Sequence, residues 1–261
     1  MRQVDIVRLD LAMGTATKTV DSVAEEVPLH ISINSAYSLT IWCSPKQFKE
    51  LAVGYLLAED ILESVDEIKD VIISEKELTC KIKLQPDVNV DERMRHLPNH
   101  KRVVPLIKAS TSPYQRREAI PKVDSDLHVK AQVILDCIND LNTRATGFKE
   151  TGGLHDSAIY TQDGRLVAFA EDVGRHNTVD KVIGMAALNK ANFSDCFMTI
   201  TGRVPGDMIY KAAKVGIPLV ASMAAVLSSG ITAAEKANIA LVGFVRGKRM
   251  NIYTSAQRII I

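Results

Sequence analysis

The chain lacks most of the features that settle a protein's chemistry at a glance. Cysteine is scarce: four residues, Cys43, Cys80, Cys137 and Cys196, lie dozens of positions apart. That spacing excludes CxxC redox pairs and zinc ribbons and leaves buried thiols as the ordinary reading. No charge sign dominates, since 32 Lys and Arg balance 31 Asp and Glu to a formal +1. A neutral chain has no global electrostatic reason to bind nucleic acid. No apolar run is long enough to span a bilayer. Met1–Asp5 lacks the apolar core of a signal peptide, so the expected compartment is the cytoplasm and no membrane association is expected.

What is present is a large globular chain, 261 residues and 46% hydrophobic, with enough length for one large or two smaller cores. Leu29–Trp42 is rich in β-formers. Ser44-Pro45 looks like the opening of a helix, serine as N-cap and proline in the first turn, running to Ile61-Leu62. A hairpin is expected over 68–84. Residues 85–125 are polar and aperiodic, and read as a linker or loop with one strand near 103–107. Beyond them, helical periods from 126 to 141, 178 to 190, 206 to 215 and 231 to 236 alternate with strand-like runs. This order predicts an α/β fold: a mixed, mainly parallel sheet flanked by helices, with a smaller N-terminal β-containing domain. The division expected is 1–107 for the β-rich part with one helix and a polar linker, and 108–261 for the α/β domain.

Two polar knots stand out. Thr151-Gly152-Gly153-Leu154-His155 and Glu171-Asp172-Val173-Gly174-Arg175-His176-Asn177 flank two short apolar runs joined at Asp163-Gly164. Asp-Gly favours a tight hairpin, which would bring the outer ends of the two runs together. His155 is therefore expected beside Glu171–His176. Gly174 lets the backbone turn closely, a helix start favours anionic groups, and Arg175 can fork onto a phosphate or carboxylate. Asp172 as a helix cap with Arg175 paired to Glu171 is the plainer alternative. Thr201-Gly202-Arg203 ends the next strand in a similar way.

A third segment, Phe244-Val245-Arg246-Gly247-Lys248-Arg249, lies in a stretch with no acidic residue after Glu235. A locally basic turn on a neutral protein suits one anionic ligand, with Phe244 able to stack on a heterocycle and Gly247 able to turn tightly. A solvated hairpin tip is the competing reading.

Taken together, these segments resemble the formate dehydrogenase accessory protein (FdhD) family. The resemblance rests on Leu51-Ala52-Val53-Gly54-Tyr55-Leu56, the 151–155 and 171–181 segments, Gly216–Val220 and Leu241–Thr254, all in the family's order. It implies a cytidine-deaminase-like α/β domain and a soluble homodimer. It implies a sulfur carrier or sulfurtransferase that takes persulfide sulfur from a cysteine desulfurase and passes it to the molybdenum cofactor, in the bis(molybdopterin guanine dinucleotide) form, before insertion into formate dehydrogenase. The cofactor-binding run it implies falls on Phe244, Val245, Arg246, Gly247, Lys248 and Arg249, with Gly153, His155, Arg175 and His176 as further candidate contacts. Zinc deaminase chemistry is excluded because the chain has no PCxxC thiolate pair.

One departure is decisive for mechanism. Where the family carries its CGxCG persulfide motif, this chain reads Ser110-Thr111-Ser112-Pro113, with no thiol. A hydroxyl cannot carry a persulfide. Three readings follow: a sulfur carrier like its relatives; a thiol-free protein that binds and delivers the molybdenum cofactor, with no metal of its own; or an enzyme using His155, Glu171, Asp172 and His176 around a metal or as acid–base groups.

Overall fold

The computed structural model describes residues 1–94 and 119–261. The expected strand near 103–107 and the Ser110–Pro113 segment lie outside the described residues.

The chain opens with a long antiparallel hairpin, β1 (Arg2–Asp10) and β2 (Thr15–Val23), hydrogen-bonded to no other strand among the described residues. The apolar and polar residues here alternate without a strong turn dipeptide, and the local pattern carries no expectation for them. Next come β3 (Val27–Ile33), β4 (Tyr37–Cys43), α1 (Phe48–Ala58), β5 (Ile68–Ser74), β6 (Thr79–Leu84) and a single turn, α2 (Val90–Arg93). The order in this four-stranded sheet is β4-β3-β6-β5, with β3 and β6 parallel. The expected run Leu29–Trp42 is thus two strands, broken at Asn34 and Ser35, both left-handed. Ser44 does not cap α1. Its amide donates to Asp172 Oδ2 at 3.0 Å and its hydroxyl accepts the Val173 amide at 3.1 Å, so the helix starts later, after Gln47. A tertiary partner has taken the residue that the local pattern assigned to the helix.

The second half runs β7 (Val129–Lys130), α3 (Ala131–Arg144), α4 (Thr146–Thr151), β8 (His155–Thr161), β9 (Leu166–Asp172), α5 (Arg175–Leu188), β10 (Cys196–Ile200), α6 (Gly206–Val215), β11 (Leu219–Ser222), α7 (Ser228–Ala237), β12 (Ala240–Arg246), β13 (Arg249–Thr254) and β14 (Ile259–Ile260). The helix expected from 126 begins only at Ala131, because Val129–Lys130 is drawn into parallel pairing with Ile259–Ile260. The main sheet has the order β13-β12-β11-β10-β8-β9. β10, β11 and β12 are parallel, and an antiparallel strand or hairpin closes each end, which makes the sheet mixed as expected.

Strand residues alternate between two apolar layers. Tyr160, Phe197 and Val242 pack under Ile134, Cys137, Ile138 and Leu141 of α3. Ile159, Met198, Ile200 and Leu241 face the opposite layer, where α1, α5, α6 and the N-terminal sheet share one continuous core. α1 crosses α5 at near backbone contact: a Cβ at Gly54 would lie 1.7 Å from the Asp180 carbonyl oxygen, and one at Gly184 2.0 Å from that of Glu50. Among the described residues no helix is long and apolar enough to cross a membrane.

Candidate ligand-binding edge

The carboxyl ends of β10, β11 and β12 lie along one edge of the sheet. β8 is antiparallel to β10 and begins there, at His155, opposite the end of β9 at Asp172. The Asp163-Gly164 turn sets this register, with Gly164 at φ +85°. α5, α6 and α7 start just past β9, β10 and β11, and none has a side-chain hydrogen bond from its N-cap residue, although Ser229 Oγ and Asp207 Oδ1 accept the Gly206 and Met208 amides of α6. Three helix starts at one edge direct partial positive charge there.

The side chains add to that field. A Cβ at Gly202 would fall 3.3 Å from the Arg175 Cβ and 3.7 Å from His155 Nδ1, so the loop after β10 presses Arg175 and His155 together. Burial, then the charges of Arg175 and Arg203, push the His155 pKa down, favouring its neutral form. Arg175 Nε is buried and has no hydrogen-bond partner among the described residues. An orphaned guanidinium nitrogen beside an uncapped helix start is suited to an anionic oxygen.

His176 is almost fully buried, its Nε2 lying 2.8 Å from Asp207 Oδ2 of α6. Burial raises the Asp207 carboxyl, but the His176 hydrogen bond and charge, with Lys211, outweigh that and hold its pKa low. Behind this pair lies a buried ion cluster, Lys211 to Asp180 at 2.7 Å and to Glu59 at 3.1 Å, which ties α1, α5 and α6 together. His176 therefore braces two helix starts more than it lines a surface. Asp207 gave no sequence signal, because its partner lies 31 residues away.

Asp172 is fully buried and has four partners: the amides of Ser44 and Gly174, Asn177 Nδ2, and Lys181 Nζ at 2.6 Å. It joins the two halves of the chain and is not free for catalysis. Glu171, its neighbour in β9, accepts the Gly147 amide at 2.8 Å on the α4 side and lies cross-strand from Asp156. Arg175 is thus not paired with Glu171. The acid–base quartet His155, Glu171, Asp172 and His176 is split between the two faces of the sheet. Among the described residues no three His, Cys, Asp or Glu side chains are placed to hold a metal ion. Gly153 sits at the outer end of this corner, where a Cβ would press against Ala24 at 3.0 Å.

The C-terminal segment reaches the same edge from the other side. β12 and β8 are three strand spacings apart, about 14 Å. The intervening loops are tied together by Ser222 Oγ donating to the Gly202 carbonyl at 2.7 Å, and by Val204 N–H donating to Ala225 O at 3.1 Å. Phe244 lies at φ +52°, where the β12–β13 register shifts between Gly243 and Arg246. A bulky residue in the left-handed region within a bulge is strained, and such bulges re-aim side chains. Here the bulge leaves Phe244 half-buried with the Arg246 guanidinium 5.4 Å from its ring centroid. It also turns Val245 into the core beneath α3, fully buried, so its side chain is not available to a ligand and that part of the expectation fails. Arg246, Gly247 (φ +62°), Lys248 and Arg249 are exposed at the tip. Two cavities, of about 360 and 640 Å³, lie at the opposite, amino edge of β10.

The structure is an α/β protein whose carboxyl edge gathers three helix starts, Arg175 and the basic β12–β13 tip. A family model described as FdhD/NarQ matches residues 24–260, and the chain belongs to that family. Similar proteins named sulfur carrier protein FdhD include one from Methanothermobacter thermautotrophicus, 36% identical over 99% of this chain and 98% of that protein. Another is from Saccharolobus solfataricus, 33% identical over 99% and 98%. A crystal structure described as a formate dehydrogenase accessory protein from Desulfotalea psychrophila shares the fold, with a TM-score of 0.77 at 23% identity over 99% of each chain.

Proposed function

We propose that this chain assists formate dehydrogenase maturation by holding the molybdenum cofactor along its carboxyl edge, without carrying sulfur on a thiol of its own. The observation that carries this reading is the state of its cysteines. All four are within the described residues, and all four are buried. Burial, first among the causes, pushes the Cys43, Cys80 and Cys137 thiols up to about 12 and Cys196 to about 11. A persulfide carrier needs an accessible, thiolate-prone sulfur, and none of these meets either condition.

The edge supplies groups that fit a pterin guanine dinucleotide. Phe244 presents a ring face for the guanine, Arg246, Lys248 and Arg249 offer donors to phosphates, and Arg175 with the α5 start offers a second anion position farther along the same edge. When bound, the cofactor supplies the sulfur-accepting molybdenum centre; the chain's part is to bind and orient it. Cysteine desulfurase and formate dehydrogenase are the partners this role calls for.

Two measurements test it together. Incubation with a cysteine desulfurase and labelled cysteine should leave no label on the full chain. Guanosine diphosphate should bind, and the double variant Arg246→Ala/Arg249→Ala should bind it at least tenfold more weakly, since hydrogen bonds to charged groups contribute about 1.5–3 kcal/mol each. Stable labelling of the chain would restore the sulfur-carrier mechanism, and unchanged nucleotide affinity would remove the C-terminal tip from the site.

A further inference from the structure

His155 is a titratable side chain set among cations. A Cβ built on Gly202 would lie 3.3 Å from the Arg175 Cβ, 3.4 Å from its Cδ and 3.7 Å from His155 Nδ1. The imidazole and the arginine stem therefore line one small space. Charge reaches His155 there from three neighbouring elements: Arg175 and His176 of α5, Arg203 of the loop after β10, and Asp172 across the strand pair in β9. Asp172 is the acid among these, and Lys181 neutralises it at 2.6 Å. His176 is engaged with Asp207. Neither Arg175 nor Arg203 has an ion-pair partner among the described residues. No hydrogen bond fixes the protonation of His155; burial and these charges set it, and they favour the neutral ring.

An oxyanion changes that balance. Two negative charges against Arg175 and Arg203 cancel the repulsion that these cations exert on an imidazolium, and the anion's oxygens accept its N–H. A ligand that makes protonation easier is, by reciprocity, bound more tightly by the protonated chain. The α5 start has no acid in its first turn, so it adds amides and no titrating group. The arginines stay charged at every relevant pH. Among these groups His155 is the one that titrates near neutrality and is not already bonded to a carboxylate.

We propose that anion binding at this corner is coupled to proton uptake: a doubly charged oxyanion, such as a phosphate monoester or a diphosphate, is held by Arg175, Arg203 and the α5 start together with one proton carried by His155. The step forms one N–H bond on the imidazole with a proton from solvent and breaks no bond. It rests on the reading of this edge as the ligand site and adds its control. The corner holds its ligand more tightly as pH falls through the histidine range and releases it as pH rises.

NMR titration of the full chain, resolved at the histidine rings and backbone amides, tests this. Sulfate is the probe because it keeps both charges throughout the range in which histidine titrates, and chloride at equal ionic strength is the control. Sulfate should shift the Arg175 amide and move the His155 titration to higher pH. Its affinity should rise about tenfold from about pH 8 to about pH 5.5, and His155→Gln should lose that rise. The wild-type titration decides the matter even if the variant fails to fold. Sulfate that shifts Arg175 and leaves the His155 titration unchanged would overturn the coupling while leaving the ligand edge in place. A full pH dependence in His155→Gln would overturn it as well, by placing the proton elsewhere. No sulfate effect at Arg175 beyond the chloride control would overturn the inference together with Arg175 as an anion position, whereas nucleotide binding at the Arg246–Arg249 tip is read separately.

Discussion

The left-handed Phe244 gives the sharpest test of the site, because it inverts an ordinary ranking. In a regular strand, Gly is less stable than Ala by about 0.5–1 kcal/mol, since it has more chain entropy to lose. At φ +52° the order reverses. A Cβ in the left-handed region costs about 1–2 kcal/mol, and Gly escapes it. Phe244→Ala and Phe244→Gly both lose the half-buried ring and its contact with Arg246, so their difference isolates the backbone. Phe244→Gly should therefore be about 1 kcal/mol more stable than Phe244→Ala in urea denaturation, despite being the worse strand former. Both should lose nucleotide affinity to the same extent. Base stacking on an aromatic ring is worth about 1–3 kcal/mol, or roughly fivefold to 150-fold in Kd. Calorimetric titration with guanosine diphosphate reads that loss. If the Ala variant is the more stable, the bulge does not hold Phe244 left-handed. If affinity is unchanged in both, the ring does not face the ligand.

Two predictions concern the scaffold. Gly54→Ala and Gly184→Ala each place a methyl group within 2.0 Å of a backbone oxygen across the α1–α5 crossing, so each should destabilise by about 3 kcal/mol, read from the denaturation midpoint; a loss below about 0.5 kcal/mol would mean the crossing relaxes freely. Asp156 is buried next to Glu171, and burial first, then the Glu171 charge and the hydrogen bond between them, push its pKa up to about 7, while Lys149 opposes the shift. A carboxyl raised on folding favours the folded state below its unfolded pKa, and that contribution is lost as pH rises through the folded value. Asp156→Asn should remove this pH dependence: no more stable than wild type near pH 4, and more stable above about pH 7, in parallel melts across that range. A constant difference at both ends would show that the carboxyl pair does not share a proton.

The legible parts of the fold were those set by neighbours in sequence. The Asp163-Gly164 turn and the apolar runs beside it were enough to bring His155 beside the Glu171–His176 segment, where the structure pairs it with Asp172. The helix Gly206–Val215 was bounded by Pro205 and by Gly216 at φ +86°, which only glycine adopts without strain. Where a partner lay far away, local signals misled. Ser44 looked like a cap and instead bonds Asp172 and Val173; Val129–Lys130 looked helical and instead pairs with Ile259–Ile260. The candidate site divides in the same way. Its glycines, histidines and basic tip could be read from composition along the chain, whereas the Asp207 brace, the engaged Asp172 and the inward turn of Val245 could not.

By itself, the sequence determined which residue types are available: a basic tip with one aromatic, two glycine-histidine knots, and no thiol at Ser110–Pro113. Tertiary structure decided how these are used. Parallel strand order brought the knots and the tip to one edge, a bulge selected Phe244 over Val245, and close packing enclosed all four cysteines. The reason is physical: turn and helix preferences act over a few residues, while burial and strand pairing depend on groups a hundred positions apart.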